Sequence, residues 1–264
     1  MPVYDSGPSS AQDNGAVALT ASKSLQHGNF AGRIILVTGA SRGLGRASAL
    51  ALAEAGAHVI ALARRRSRLE DLDDAIRVRG GPPPTLIQMD LTNGEQVDGL
   101  GPALYQRFGR LDGLVANAAI LGTLSPLNHV TADDWGKVLD TNLTANWRLV
   151  RTLDPLLRAS DAGRAVFVSS GAALTQSAYW GPYAVSKAGL EALAQTYANE
   201  VSSSAVRVSI LDPGPLRTDM RAKAFPGENP TKNPDPAEVA PLVLQLLSPD
   251  WLENGARVRH PRAA

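Results

Sequence analysis

The stretch from Arg33 to Ala55 limits what this chain can fold into more than any other. Ile34-Ile-Leu-Val-Thr38 is a β-branched apolar run of strand length. Gly39-Ala-Ser-Arg-Gly43-Leu-Gly45 follows at once, and the alanine- and leucine-rich segment from Arg46 to Ala55 reads as a helix stopped by Gly56. Strand, glycine loop and helix in that order give a glycine motif its meaning. Glycines permit a tight turn and a close backbone approach to a pyrophosphate, which the helix N-terminus attracts. The spacing is G-x-x-x-G-x-G and not the commoner G-x-G-x-x-G, so an ordinary glycine-rich turn is the competing reading of this loop alone.

The remainder alternates strand-like and helix-like segments. Strands are expected at His58–Ala63, Thr85–Met89, from Leu114, at Ala165–Ser169 and at Val206–Leu211. Helices are expected at Ser67–Val78, Glu95–Phe108, from Thr131 to about Leu153, at Tyr183–Val201 and after Asp235. Thr131 and Asp235 read as N-caps, the latter followed by proline at the first helical position. Such alternation predicts an α/β fold, a doubly wound parallel sheet of about seven strands with helices on both faces. Ligands of such sheets bind beyond the carboxyl ends of the strands, where Gly39, Asn117, Ser170 and Pro213 all fall. Residues 1–30, rich in Ser, Ala, Asn and Gly, read as a flexible or loosely docked tail, with an arm to a partner subunit as the alternative. Residues 31–264 read as one dinucleotide-binding and catalytic domain.

Tyr183 and Lys187 are four residues apart on an expected helix, so they share a face. An ammonium beside a phenol favours phenolate, and the pair would then exchange a proton near neutral pH. An isolated Y-x-x-x-K is more often a solvated helix face. Taken with Thr38-Gly39-x-x-x-Gly43-x-Gly45, however, it closely resembles the short-chain dehydrogenase/reductase family, over about Gly32 to Val258. Asn117-Ala118-Ala119 resembles that family's Asn-Ala-Gly segment, Asn142 its helix asparagine, Ser170 its catalytic serine and Pro213-Gly214-x-x-x-Thr218 its segment after the sixth strand. Ala119 in place of glycine, and Ala145 near where many members carry glycine, depart from the pattern without removing a catalytic group.

The resemblance implies an oxidoreductase that moves a hydride between nicotinamide and a carbonyl or secondary alcohol. Tyr183 would be general acid/base. Ser170 would hold the substrate oxygen, Lys187 would lower the phenol's pKa and bind the nicotinamide ribose, and Asn142 would hold a water leading from Lys187 to solvent. Ser169 competes with Ser170 for the serine role, and strand alternation aims the two oppositely. The implied dinucleotide contacts are Gly39, Ser41, Arg42, Gly43, Leu44, Gly45, Arg64, Asp90, Leu91, Asn117, Ala118, Tyr183, Lys187, Pro213, Gly214, Leu216 and Thr218. Capping of the turn before Thr92 is an equal alternative for Asp90. Charge selects the cofactor: Ala63-Arg64-Arg65-Arg66 carries no acid before Glu70, and a guanidinium grips a 2′-phosphate that a carboxylate would repel. NADP(H) is therefore preferred, with NAD(H) as the alternative. Arg42 and Arg64 are the chosen phosphate ligands, and Arg65, Arg66 and Arg68 are read as a solvated helix start. Leu174, Tyr179, Trp180, Met220 and Phe225 are candidate walls and lid of an apolar substrate pocket without a fixed cation, which points to a neutral carbonyl or alcohol.

Composition narrows the alternatives. A formal charge of +1 gives no bulk attraction for nucleic acid or an anionic membrane, and no apolar run reaches membrane-spanning length. The absence of cysteine removes disulfides, thiol nucleophiles and thiolate metal sites, and it agrees with a cytoplasmic protein. His27, His58, His129 and His260 lack metal-ligand spacing, so no metal is expected. A 3-oxoacyl thioester reductase is the alternative substrate reading. Epimerisation or dehydration through a transiently used nicotinamide is a second enzyme class, and a non-catalytic dinucleotide sensor is the reading from outside enzymology. The resemblance implies a homo-oligomer, dimer or tetramer.

Overall fold

The computed structural model describes residues 30–261. The expected tail lies outside the described residues except for Phe30, which is fully buried. Seven parallel strands form one sheet in the order β3-β2-β1-β4-β5-β6-β7. They are β1 (Ile34–Thr38), β2 (His58–Ala63), β3 (Thr85–Gln88), β4 (Gly113–Ala116), β5 (Arg164–Val168), β6 (Arg207–Asp212) and β7 (Ala256–Arg259). The interior strands are buried on both faces and are near-continuously apolar, as a covered parallel sheet requires. Alternation divides their side chains. Ile35, Val37, Val59 and Val166 join one core with α1 (Gly43–Glu54), α2 (Arg66–Val78) and α9 (Pro236–Leu247). Leu36, Ile60, Leu114 and Phe167 join the other with α3 (Gly94–Phe108), α5 (Ala145–Arg158) and α7 (Gly181–Glu200). The strand order reverses between β1 and β4, and a crevice opens above that point.

The expected long helix after Thr131 is two helices, α4 (Ala132–Leu139) and α5, joined by a π turn over Asp140–Thr144. Thr131 does cap it, accepting from Asp134 N at 3.1 Å. The π turn is held by the Asn142 amide, described below, and α5 runs past Leu153 to Arg158 through Pro155. Asp235 forms a capping box with Glu238 at the start of α9. Two short helices, α6 (Ala172–Thr175) and α8 (Asp219–Ala224), lie in the loops after β5 and β6.

The amino edge of the sheet carries a network of charges, most of them buried. Asp112, 1% exposed, accepts from Ile34 N at 2.8 Å, Ser160 Oγ at 2.6 Å and Arg110 Nε at 3.1 Å. Arg164 donates to the carbonyls of Gly163, Ala205, Ser248 and Pro249, and burial pushes its pKa down to about 10. These contacts tie loops together far from the crevice.

Candidate active site

The crevice at the carboxyl edge has a volume of about 550 Å³, ample for a small-molecule site. Gly39 opens it with φ +66°, a conformation that L side chains rarely adopt, and a β-carbon there would sit 2.9 Å from Asn117 Nδ2. A β-carbon on Gly45 would collide with the Gly39 carbonyl, so Gly45 closes the loop from behind and does not line the crevice. Gly43, with φ +54°, also shapes the loop without lining it. Thr38 pins the neighbouring strand end, its Oγ1 accepting from Asn117 N at 3.0 Å and Ala118 N at 3.1 Å. The N-terminus of α1 has no side-chain cap and no acid in its first turn, so its N–H groups are free of the anionic partner that a phosphate would provide.

Ser41, Arg42, Leu44, Arg64, Asp90, Leu91, Asn117 and Ala118 line the side of the crevice next to the glycine loop. Arg65 and Arg68, exposed at the start of α2, line it too; no local pattern separates them from Arg66, which pairs with Glu70 at 2.8 Å. Arg42 pairs loosely with Asp219 at 3.4 Å, both side chains exposed. Asp90 caps its turn, accepting from Thr92 N at 3.0 Å, while still facing the crevice. The glycine loop, the uncapped helix start and this arginine group fit a phosphorylated dinucleotide.

Ser170, Tyr183 and Lys187 converge on the far side, with Pro213, Gly214, Leu216 and Thr218 opposite. Ser170 lies beside the Tyr183 phenol and acts to lower its pKa. Ser169 borders the crevice too, with its hydroxyl donating to Glu191 Oε1 at 2.5 Å. The expected acidified phenol is not what the structure gives. Burial pushes Tyr183 up to about 12, with the Asp212 carboxylate adding to the rise and Ser170 opposing it. Lys187 is fully enclosed. Its Nζ lies 5.8 Å from the ring centroid and donates to Val168 O at 2.7 Å, so it is not bonded to the phenol. Burial drives its pKa down to about 8, and Glu191 opposes that fall.

Asn142 is buried and does not line the crevice. Its Oδ1 accepts from Ile120 N at 2.8 Å, and its Nδ2 donates to Ile120 O at 2.9 Å and Ser186 Oγ at 3.0 Å. Its side chain therefore fastens the segment after β4 to α7.

Trp180, Met220 and Phe225 line the crevice beside Tyr183, and Leu174 and Tyr179 do not line it; those two are 58% and 60% exposed. Trp180 meets Tyr183 edge-on at 5.9 Å and Phe225 at 5.8 Å, so the segment after α8 covers the phenol's side of the crevice. The expectation of a pocket without cations is corrected: Arg221 and Arg259 line it. Each has a carboxylate partner, however. Arg221 clasps Glu228 through two contacts of 2.6 Å, and Arg259 lies 3.5 Å from Asp212.

Among the described residues no cluster suited to a metal ion occurs and no helix is long and apolar enough to cross a membrane. The family model for short chain dehydrogenase matches residues 33–229. The uncharacterised oxidoreductase YciK of Escherichia coli is 40% identical over 220 residues, covering 83% of this chain and 87% of its own. The 3-oxoacyl-[acyl-carrier-protein] reductase FabG of Vibrio cholerae is 33% identical over 231 residues, covering 84% and 92%. A Pseudomonas syringae short chain dehydrogenase superposes with TM-score 0.85 at 41% identity, covering 88% and 95%. An Escherichia coli short chain dehydrogenase complexed with NADPH gives 0.85 at 37%, covering 89% and 98%. With glycine loop, serine, tyrosine and lysine gathered at one edge of a seven-stranded parallel sheet, the chain belongs to the short-chain dehydrogenase/reductase family of NAD(P)-dependent oxidoreductases.

Proposed function

We propose that the protein is an NADP(H)-dependent reductase of a neutral carbonyl, or dehydrogenase of the matching alcohol, with Tyr183 as its general acid/base. The observation that carries this reading is the gathering of Ser170, Tyr183 and Lys187 in the crevice that also holds the glycine loop and Arg42, Arg64, Arg65 and Arg68. Nicotinamide bound there supplies or accepts the hydride. A phenol raised to about 12 keeps its proton at neutral pH, so it suits donation to a carbonyl oxygen better than abstraction from an alcohol. Ser170, beside that phenol, orients the same oxygen. Lys187, enclosed beside the ring, is placed to keep positive charge near the phenol as its proton leaves. The arginine group favours a 2′-phosphate, which supports NADP(H) over NAD(H), as does the NADPH complex of the Escherichia coli neighbour. Carboxylate pairing of Arg221 and Arg259 supports an uncharged substrate.

The test is NADPH absorbance decay against ketones, aldehydes and diketones, with acetoacetyl-coenzyme A added. That thioester checks a second reading, favoured by the similarity to FabG: reduction of a 3-oxoacyl thioester. Turnover of charged sugar nucleotides alone would refute both. We also propose a homo-oligomer, dimer or tetramer, within the cytoplasm; sedimentation at assay concentration checks the assembly.

A further inference from the structure

Beneath the catalytic groups lies a chain of carboxylates and guanidiniums that the proposed reaction does not use. Ser169 Oγ donates to Glu191 Oε1 at 2.5 Å. Arg257 Nε donates to both Glu191 oxygens at 3.2 Å, and its Nη2 donates to Asp212 Oδ2 at 3.3 Å. Asp212 Oδ1 accepts from Gly214 N at 3.1 Å. The side chains are well enclosed: 15% exposed for Arg257 and Glu191, 2% for Asp212. Four elements meet here: the end of β5, the middle of α7, the end of β6, and β7.

Three members, Ser169, Glu191 and Asp212, adjoin groups that handle substrate or cofactor in the proposed reaction. Ser169 precedes Ser170, Glu191 follows Lys187 by one turn of α7, and Asp212 precedes Pro213 and Gly214. Enclosing such charges is costly, and a buried ion bridge adds little net stability over apolar packing. Its value lies in fixing geometry, because the loops it joins end at the reacting atoms.

We infer that the Glu191–Arg257–Asp212 bridge positions the active site, locking the ends of β5 and β6 to α7 and fixing a carboxylate one turn from Lys187. The inference rests on the reading of Tyr183 and Lys187 as the proton-handling pair. The groups facing Lys187 are Tyr183 and Glu191 from α7 and the Val168 carbonyl from β5; Ser169 lies one contact further out through Glu191, and Asp212 through Arg257. Arg257 and Arg259 of β7 stand behind the two acids. Of these, Glu191 is the charge that supports the ammonium against burial. Removing its charge therefore moves the Lys187 titration to lower pH.

The test uses the full chain. Carbon-13 lysine labelling, with Lys187→Arg for assignment, reads the Lys187 titration directly. NADPH fluorescence titration reads cofactor binding, and NADPH-dependent reduction of 2,3-butanedione or acetoacetyl-coenzyme A reads turnover. Glu191→Gln should shift the Lys187 midpoint downward, move the basic limb of kcat with it and lower kcat roughly tenfold at pH 8, with NADPH affinity held within about twofold. Glu191→Asp should restore most of the midpoint. Arg257→Lys keeps the charge but cannot bridge both acids, and should lower kcat severalfold while KM for NADPH holds. It also serves if Glu191→Gln does not fold. An unmoved midpoint and pH profile in Glu191→Gln, or full kcat in Arg257→Lys, overturns the inference. Tyr183→Phe separates the two failures: if it remains active, the underlying reading has failed; if it is dead while the bridge variants are normal, only the bridge has.

Discussion

The two edges of the sheet use the same chemistry for different ends. At the amino edge, Asp112 and Arg164 bind chiefly to backbone groups and neighbouring side chains, joining loops that do not line the crevice. At the carboxyl edge, Asp212, Glu191 and Arg257 bind one another directly below Ser170, Tyr183 and Lys187. Burial perturbs groups at both edges, as Arg164 and Lys187 show. A displaced pKa alone therefore does not mark a reaction centre. The distinguishing fact is that Asp212 and Lys187 border the crevice that also holds the glycine loop and the arginines, with Glu191 and Arg257 bonded behind them.

Variants can break this contrast. Tyr183→Phe should lower turnover by about 10²–10⁴-fold with NADPH affinity retained, measured by absorbance decay and fluorescence titration. Asp112→Ala should do the reverse. It strips a buried acid from Arg110, Ser160 and Ile34 N and should cost about 3 kcal/mol of stability in urea denaturation, while the NADPH dissociation constant stays put. If Asp112→Ala instead abolished cofactor binding, the division of labour between the edges would be wrong. Arg42→Ala with Arg64→Ala should raise KM for NADPH about 10–100-fold and leave NADH little changed; equal effects on both would remove the 2′-phosphate assignment.

Two smaller effects sharpen the picture. Lys187 holds its proton below about 8 in the folded chain and below about 10.5 when unfolded. Between those values the unfolded state binds more protons, so stability should rise with pH there, while reductive kcat should fall as pH climbs through 8. Opposite slopes in thermal melts and steady-state rates would support this. At the lid, Arg221 and Asn233 hold the Glu228 carboxyl down at about 2. Its contribution is present above the ordinary carboxylate range and lost as pH falls through 2. Glu228→Gln should loosen α8 and raise substrate KM about two- to fivefold, with kcat for the bound substrate little altered.

Much of the fold was legible because it is local. His58–Ala63 reads as a strand from its own apolar run, and Asp235-Pro236 announces the start of α9. The π turn at Asp140–Thr144 was not legible, since it depends on Asn142 reaching Ile120 and Ser186, 22 and 44 residues away. Nor was β7, Ala256–Arg259, where Val258 is the one fully buried side chain of an edge strand. Within the site, Tyr183 and Lys187 were visible from spacing. The rise of the phenol was not, because burial is set by Trp180, Phe225 and the surrounding sheet, none of which the spacing encodes. The Glu191–Arg257–Asp212 bridge leaves no sequence signature at all, its members being separated by 21 to 66 residues.

A structure of the protein grown with NADP+ tests the central claim most directly. The account predicts the 2′-phosphate against Arg42 and Arg64, the pyrophosphate at the start of α1, and the nicotinamide between Pro213 and the Tyr183 hydroxyl. A dinucleotide seated outside this crevice, or one whose nicotinamide lies beyond reach of Tyr183 and Lys187, would contradict it.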